Sequence, residues 1–432
     1  MEEVGLATMR VGVIGTGICG AAAAERLRAV LGDGIELVVV DRHERVGGRM
    51  SLVNFGGTHV EGGASLFHSA NKLLAGYVEA LGLHTVLAGE PSSTIGVWTG
   101  SRFVFRTSGS PWRDNVAMLF RYRTRLLRLA RLTRDGVSRL DRIYPMLEDG
   151  ASWPTARQLL QSVDLEELTA ETAAEHLSRH GCAGPLVQDF ADPISRNNYG
   201  GSASEINALV ELVSLAGGGL AGGRLLRVRE GNEAVCRGLL DRAEADVQLG
   251  NAVRRVAPHG HGWTLYLADG TALAVDAVIL AAPAELADIR LDIELPHRTL
   301  RTYKRIHATF VQGTLREGRF GGRSTPDFVL TTAEHKPFLS LERIGQDIYK
   351  LFSEASLPGH ILNGLFSTIN GQRELVWDAY PELTPTDTES LFAPAHRFYD
   401  ATALEYFVST METQAIAGRA AANLLITDLC SP

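Results

Sequence analysis

The feature that most constrains this chain is Gly15-Thr16-Gly17-Ile18-Cys19-Gly20, a G-x-G-x-x-G loop between an apolar run, Met9 to Ile14, and an alanine-rich stretch from Ala21 to about Val30. The first glycine permits a tight turn, the second lets the backbone approach a pyrophosphate, and the third lets helix pack on strand. The helix that follows aims its free N–H groups and positive dipole end at the phosphates. A Gly32-Asp33-Gly34 turn and the run Ile35 to Val40 complete a βαβ unit with a buried parallel strand. Asp41, closing that second strand, is placed to accept hydrogen bonds from a ribose diol, and Arg42 beside it is assigned to the same site. Alone, the loop pattern also describes an incidental glycine-rich turn; the flanking strand, helix and acid single it out. Cys19 within it reads as a small packing residue.

At 432 residues the chain exceeds the ~250–300 residues at which one hydrophobic core stops growing, so two domains are expected. A net charge of −8 without a long basic block argues against nucleic-acid binding. Cys19, Cys182, Cys236 and Cys430 form no CxxC pair, which points away from a metal site and from a disulfide framework. The start, Met1-Glu2-Glu3-Val4, lacks the pattern of a secretory signal, and no Asn-x-Ser/Thr acceptor occurs. No apolar run reaches the ~18 residues of a membrane span. A soluble protein of the reducing cytoplasm is expected.

Further along, Val253 to Val256, Trp263 to Leu267 and Leu273 to Leu280 read as strands, with turns at His259-Gly260 and Asp269-Gly270. Residues 113–224 are helical in composition, 300–385 mixed, and Thr413 to Ile426 helical again. The arginines Arg121, Arg123, Arg125, Arg128, Arg131 and Arg134 alternate with leucines. They read as a solvated helix face, with contact to an anionic membrane surface or gating of a pocket as the other readings.

Glu44-Arg45-Val46-Gly47-Gly48-Arg49 resembles the second glycine motif of the flavin amine-oxidase superfamily, where the glycines let the dinucleotide approach and the arginine lies near its phosphates. Val253 to Val256, followed by Asp276 to Pro283, is similar to that superfamily's later flavin segment, where a valine backbone meets the adenine. The resemblance implies FAD rather than NAD. It is held non-covalently, since no cysteine lies between Tyr406 and Glu412.

Within that superfamily the chain resembles the prenylcysteine oxidases. The similarity runs through His59-Val60-Glu61-Gly62-Gly63-Ala64-Ser65-Leu66-Phe67-His68-Ser69, then Asp192-Pro193-Ile194-Ser195-Arg196-Asn197-Asn198-Tyr199-Gly200 and Val213 to Ala216. It continues through Glu230 to Leu240, Trp377-Asp378-Ala379-Tyr380-Pro381 and Thr410 to Ala417. Two departures stand out: Gly201 replaces an expected polar residue, and Thr302-Tyr303-Lys304-Arg305-Ile306 carries a lysine more like the wider superfamily.

The resemblance implies an α/β fold in which a Rossmann-type FAD-binding domain interleaves with an α+β substrate-binding domain. The FAD domain is assigned 1–90, 225–299 and 386–432, and the substrate domain 91–224 and 300–385. It implies an FAD-dependent oxidase that cleaves the C–S bond of an S-substituted cysteine, consumes molecular oxygen, and yields aldehyde, thiol and hydrogen peroxide. The substrate is expected to be a small cysteine thioether, prenylated or not. An amine oxidase or desaturase on the same fold, and a non-catalytic flavin-binding assembly protein, are the alternatives.

The residues assigned to the cofactor are Gly15, Gly17, Gly20, Asp41, Arg42, Gly48, Arg49, Glu61, Gly62, Gly63, Ala64 and Val253, with Met411, Glu412 and Ala415 of the last helix, whose N-terminus stabilises charge on the reduced flavin. Catalytic roles are assigned to Lys304, His68 and Tyr199. Lys304 either holds a water for reoxidation or is a surface lysine beside Arg301 and Arg305. His68 either touches substrate or flavin or is a satisfied core histidine. Tyr199 and Asn198 either line the cavity or build a turn, and Tyr406 and Phe407 either border the flavin or are simply buried.

Overall fold

The computed structural model describes residues 8–89, 93–293, 300–321, 324–334 and 337–430; the Met1-Glu2-Glu3-Val4 terminus lies outside them. The βαβ unit forms where the sequence places it, with Met9–Ile14 and Ile35–Val40 paired in parallel and joined by the helix Ile18–Leu31. Strands Asp246–Gln248 and Ala277–Leu280 flank this pair, and Phe398–Asp400 extends the all-parallel sheet beyond Ala277–Leu280. One sheet thus collects strands from three distant stretches of chain. The C-terminal helix Met411–Cys430 packs on the first helix so closely that a Cβ at Gly418 would stand 2.1 Å from the Cys19 carbonyl oxygen.

The apolar run Leu273 to Leu280 is not one strand. It divides at Asp276 into Ala272–Val275, in a four-stranded sheet with Gly262–Leu267 and Val253–His259, and Ala277–Leu280 in the parallel sheet. Asp276 accepts the Arg10 backbone N–H at 2.7 Å, which anchors the crossing point.

A seven-stranded sheet forms the other side of the molecule, in the order Phe366–Pro381, Tyr303–Leu315, Ile348–Ser353, Ser340–Arg343, Phe328–Thr331, Ile95–Trp98 and Phe103–Arg106. Helices between Pro111 and Gly217 form a layer beside it. The Asn197-Asn198-Tyr199 segment is not a turn but the end of the helix Asp192–Tyr199, which Gly200 terminates in the left-handed region at φ +62°. Gly201 also has a local reason: a Cβ there would stand 2.7 Å from the Ile206 side chain.

Candidate active site

A cavity of about 1540 Å³ runs from the glycine loops to the helical layer and the seven-stranded sheet. Gly15, Gly17, Asp41, Arg42, Gly48, Arg49, Gly62, Gly63, Ala64, Val253, Met411 and Glu412 all lie on its wall, with His68 and Tyr199. Gly20, Glu61, Ala415 and Lys304 do not.

The dinucleotide end is made of backbone. Gly15 sits at φ +113°, and a Cβ at Gly20 would stand 2.0 Å from the Gly15 carbonyl oxygen, so Gly20 shapes the turn without meeting a ligand. Gly48, at φ +57°, faces Gly17, and its Cβ would come within 3.3 Å of the Gly17 Cα. A side chain at either position would fill the space between the two loops. The helix Ile18–Leu31 begins at the cavity with no side-chain cap and no acidic residue in its first turn, which leaves its N–H groups open to an anion. At the start of the C-terminal helix, Gln414 is buried on the cavity wall and its Nε2 finds no partner among the described residues. An open helix N-terminus, a glycine cradle and an orphaned amide donor fit a dinucleotide.

Asp41 is buried, and both its oxygens already accept: Thr16 N and Oγ1 at 2.8 and 2.7 Å, His43 N and Nδ1 at 2.9 and 3.0 Å. Burial opposes its ionisation, but the bonds from His43 and Thr16 prevail and hold the carboxyl down at about 2. The half-exposed His43 ring is the partner that a ribose would displace. Arg42 donates to the Leu286 carbonyl at 2.7 Å. Arg49 joins two of the signature segments, since its Nη1 donates to the Ala379 carbonyl at 3.0 Å and its Nη2 pairs with Glu405 at 2.5 Å. Arg301 is not on the surface: its side chain is 3% exposed and pairs with Glu285 at 2.5 Å and Glu405 at 3.7 Å. Tyr303 and Ser409 both donate to Glu405 at 2.9 Å. Despite burial, the two guanidinium groups keep the fully buried Glu405 below the usual carboxylate range.

Other assigned residues have structural partners. Burial raises Glu61 to about 7; one oxygen accepts Asn232 N at 2.7 Å and it lies behind the wall. Glu412 accepts Leu73 N and Leu74 N at 2.8 and 3.0 Å and the Tyr144 hydroxyl at 2.8 Å, so its carboxylate caps the helix Lys72–Ala80. Ala415 is fully buried behind the wall. His68 has both ring nitrogens engaged, Nδ1 with the Ala70 N–H at 3.1 Å and Nε2 with the Gly222 carbonyl at 2.6 Å, the pattern of a satisfied imidazole. Lys304 does not reach the cavity, because its Nζ donates to the Gly200 carbonyl at 2.7 Å, just past the helix that carries Tyr199. Tyr406 and Phe407 lie off the wall; the Tyr406 ring stacks under the Arg301 guanidinium at 4.6 Å.

Away from the glycine loops the cavity wall mixes apolar side chains, among them Leu212, Val213, Phe328 and Leu330, with polar ones. Tyr199 meets Tyr380, ring centroids 5.4 Å apart, which brings two signature segments face to face. Burial pushes both phenols well above their ordinary range. Asn198 donates to Ser214 Oγ at 2.9 Å, and the neighbouring Asn197 Oδ1 is buried without a partner among the described residues. Lys350, missed in the sequence, stands on the wall with its Nζ 3.2 Å from both Glu342 and Ser65 Oγ. Residues Glu342 and Lys350 are cross-strand partners in the seven-stranded sheet. No motif marks them, and neither strand alternates in burial.

The prenylcysteine lyase family model matches residues 105–431, and a model described as an NAD(P)-binding Rossmann-like domain matches 13–81. The chain belongs to the prenylcysteine lyase family. It is 30% identical to a farnesylcysteine lyase of Arabidopsis thaliana, over 96% of this chain and 87% of that one. It is 26% identical to prenylcysteine oxidase 1 of Mus musculus, over 96% and 88%. Among solved structures, putrescine oxidase bound to putrescine shares the fold with a TM-score of 0.66 at 18% identity, over 97% of this chain and 99% of that one. Cyclohexylamine oxidase from Brevibacterium oxydans shares it at 0.66 and 17%, over 98% and 100%. Family and fold together support an α/β two-domain flavoprotein oxidoreductase with FAD as its cofactor.

Proposed function

We propose that this chain is an FAD-dependent thioether oxidase that cleaves the C–S bond of an S-prenylated cysteine to aldehyde, free cysteine and hydrogen peroxide, with molecular oxygen as the acceptor. The observation that carries this reading is a single cavity joining a dinucleotide cradle to a wall that includes Leu212, Val213, Phe328 and Leu330, in a chain of this family. FAD, when bound, supplies the two-electron oxidant for the carbon beside sulfur; addition of water then gives a hemithioacetal that collapses to aldehyde and thiol.

The chain's own residues hold and orient. The Gly15–Gly20 loop and its helix hold the pyrophosphate, and the start of the C-terminal helix, with Gln414, presents donors to the cofactor. Tyr199 and Tyr380 flank the thioether, and Leu212, Val213 and Phe328 pack on the isoprenoid. Lys350 and Glu342 face the carboxylate and ammonium of the cysteine. Apolar side chains distinguish chain length weakly, since one methylene is worth ~1–3 kcal/mol, whereas a charged pair reads the amino-acid end strongly. The discontinuous domain division assigned above is part of this reading. The cytoplasmic reading rests on the thiols: all four cysteines are free, and no helix among the described residues is long and apolar enough to cross a membrane.

The test is anaerobic reduction of the bound flavin by S-farnesyl, S-allyl and S-benzyl cysteine, each compared with its N-acetyl methyl ester. Reduction by the free thioethers with release of aldehyde and cysteine is expected, and slower reduction by the blocked forms. Reduction by simple amines alone would replace this reading with an amine oxidase.

A further inference from the structure

We propose that the helical hairpin Pro111–Tyr122 and Thr124–Leu140 docks this protein on an anionic membrane surface, inserting Trp112, Leu119 and Phe120 into the lipid interface. The inference goes beyond the reaction proposed above and does not depend on it.

Trp112, Val116, Leu119 and Phe120 follow the i, i+4, i+7, i+8 spacing of one helix face. In a globular protein such a stripe faces the core. Here it faces outward: Trp112 is 75% exposed, Phe120 80% and Leu119 46%, and Leu127 of the next helix is 58% exposed. The buried side of the same helix carries Met118 and Tyr122. Single exposed apolar residues need no explanation, but Trp112, Leu119 and Phe120 on one helix face, with the partly buried Val116 between them, mark an interaction surface.

Charge selects the occupant. Between Pro111 and Arg134 there are seven arginines and one acidic residue, Asp114, in a chain whose net charge is −8. All seven arginines are exposed; Arg121 pairs with Asp189, and Arg125 reaches the Ala183 carbonyl at 3.2 Å. An apolar aromatic stripe beside a dense arginine field is the pattern of a helix lying in an anionic lipid interface. A protein partner would need acidic and apolar groups matched to this outline, whereas an anionic bilayer offers both without shape matching. The hairpin also forms part of the cavity wall, through Asp114, Met118, Leu126 and Val137. Docking there would set the cavity beside the lipid phase, from which an apolar substrate could enter without crossing water.

The test is flotation of the FAD-loaded protein with phosphatidylcholine vesicles, with and without phosphatidylserine, at low and high salt. Binding to the phosphatidylserine vesicles alone, reversed by salt, is expected. The double variants Trp112→Ser/Phe120→Ser and Arg123→Glu/Arg131→Glu should each weaken it roughly tenfold or more. All four residues are exposed and off the cavity wall, so both variants should keep their flavin content and thermal midpoint. Absence of flotation, binding equal on neutral vesicles, or binding unchanged in either variant would overturn the proposal. So would a dimer that Trp112→Ser/Phe120→Ser dissociates, or salt-sensitive RNA binding without vesicle binding.

Discussion

At its glycine end the cavity wall is peptide backbone, held at angles and distances that leave no room for side chains; at its far end the wall is side chains from helices and strands far apart in sequence. A Cβ at Gly63 would stand 2.0 Å from the Arg49 carbonyl oxygen, so the cradle tolerates no substitution there without moving main chain. The Tyr199–Tyr380 and Lys350–Glu342 pairs meet through side chains alone. A backbone-built site binds a constant ligand, and a side-chain-built site can be retuned to a new one. That contrast accounts for one fold serving both prenylcysteine lyases and amine oxidases.

The largest effect that would break this comparison lies under the cradle. Glu405→Gln removes the buried carboxylate shared by the half-buried Arg49 and the buried Arg301 and should cost about 3–5 kcal/mol of stability. Chemical denaturation with and without FAD measures it, and a loss under about 1 kcal/mol would show that the buried network is dispensable.

A smaller effect should appear only in acid. The Asp41 carboxyl is held down at about 2 by His43 and Thr16. A group whose folded value is depressed stabilises the protein above its unfolded value and loses that contribution as pH falls through the folded one. Asp41 therefore contributes about 2 kcal/mol above about pH 4, and this is lost on descending to about pH 2. Asp41→Asn should flatten that limb of the stability profile and loosen FAD; an unchanged acid limb would place the acid transition elsewhere.

The smallest effect sharpens the other side of the comparison. Lys350→Met should leave flavin content and stability near those of the parent. It should raise KM for S-farnesyl cysteine roughly tenfold relative to its methyl ester, the low end for a lost charged hydrogen bond. Equal loss on acid and ester would remove Lys350 from substrate recognition.

How much of this was readable before folding depended on the range of the constraint. The loop Gly15 to Gly20, the strands Met9–Ile14 and Ile35–Val40 and the second loop at Gly47 and Gly48 were legible because each condition is local: a positive φ, a close approach, a run of β-branched residues. The lysine facing the cavity was misplaced. Lys304 lies in a segment more like the wider superfamily, yet it serves the end of a helix, while Lys350, in a strand without a motif, stands on the wall. Nothing in the sequence marked Arg301 as buried, since a charged side chain defaults to solvent; Glu285 and Glu405 supply the partners that bury it.

The sequence by itself determined the dinucleotide cradle and the family, since these follow from residue types and spacings that act over a few neighbours. Only the tertiary structure decided which charges face the cavity, which are locked beneath it, and that the stripe Trp112, Leu119, Phe120 points outward. The burial of a charge or an aromatic ring depends on what crosses over it, and here some of the crossing segments, such as Glu405 at Arg49 and Ser65 at Lys350, come from distant parts of the chain.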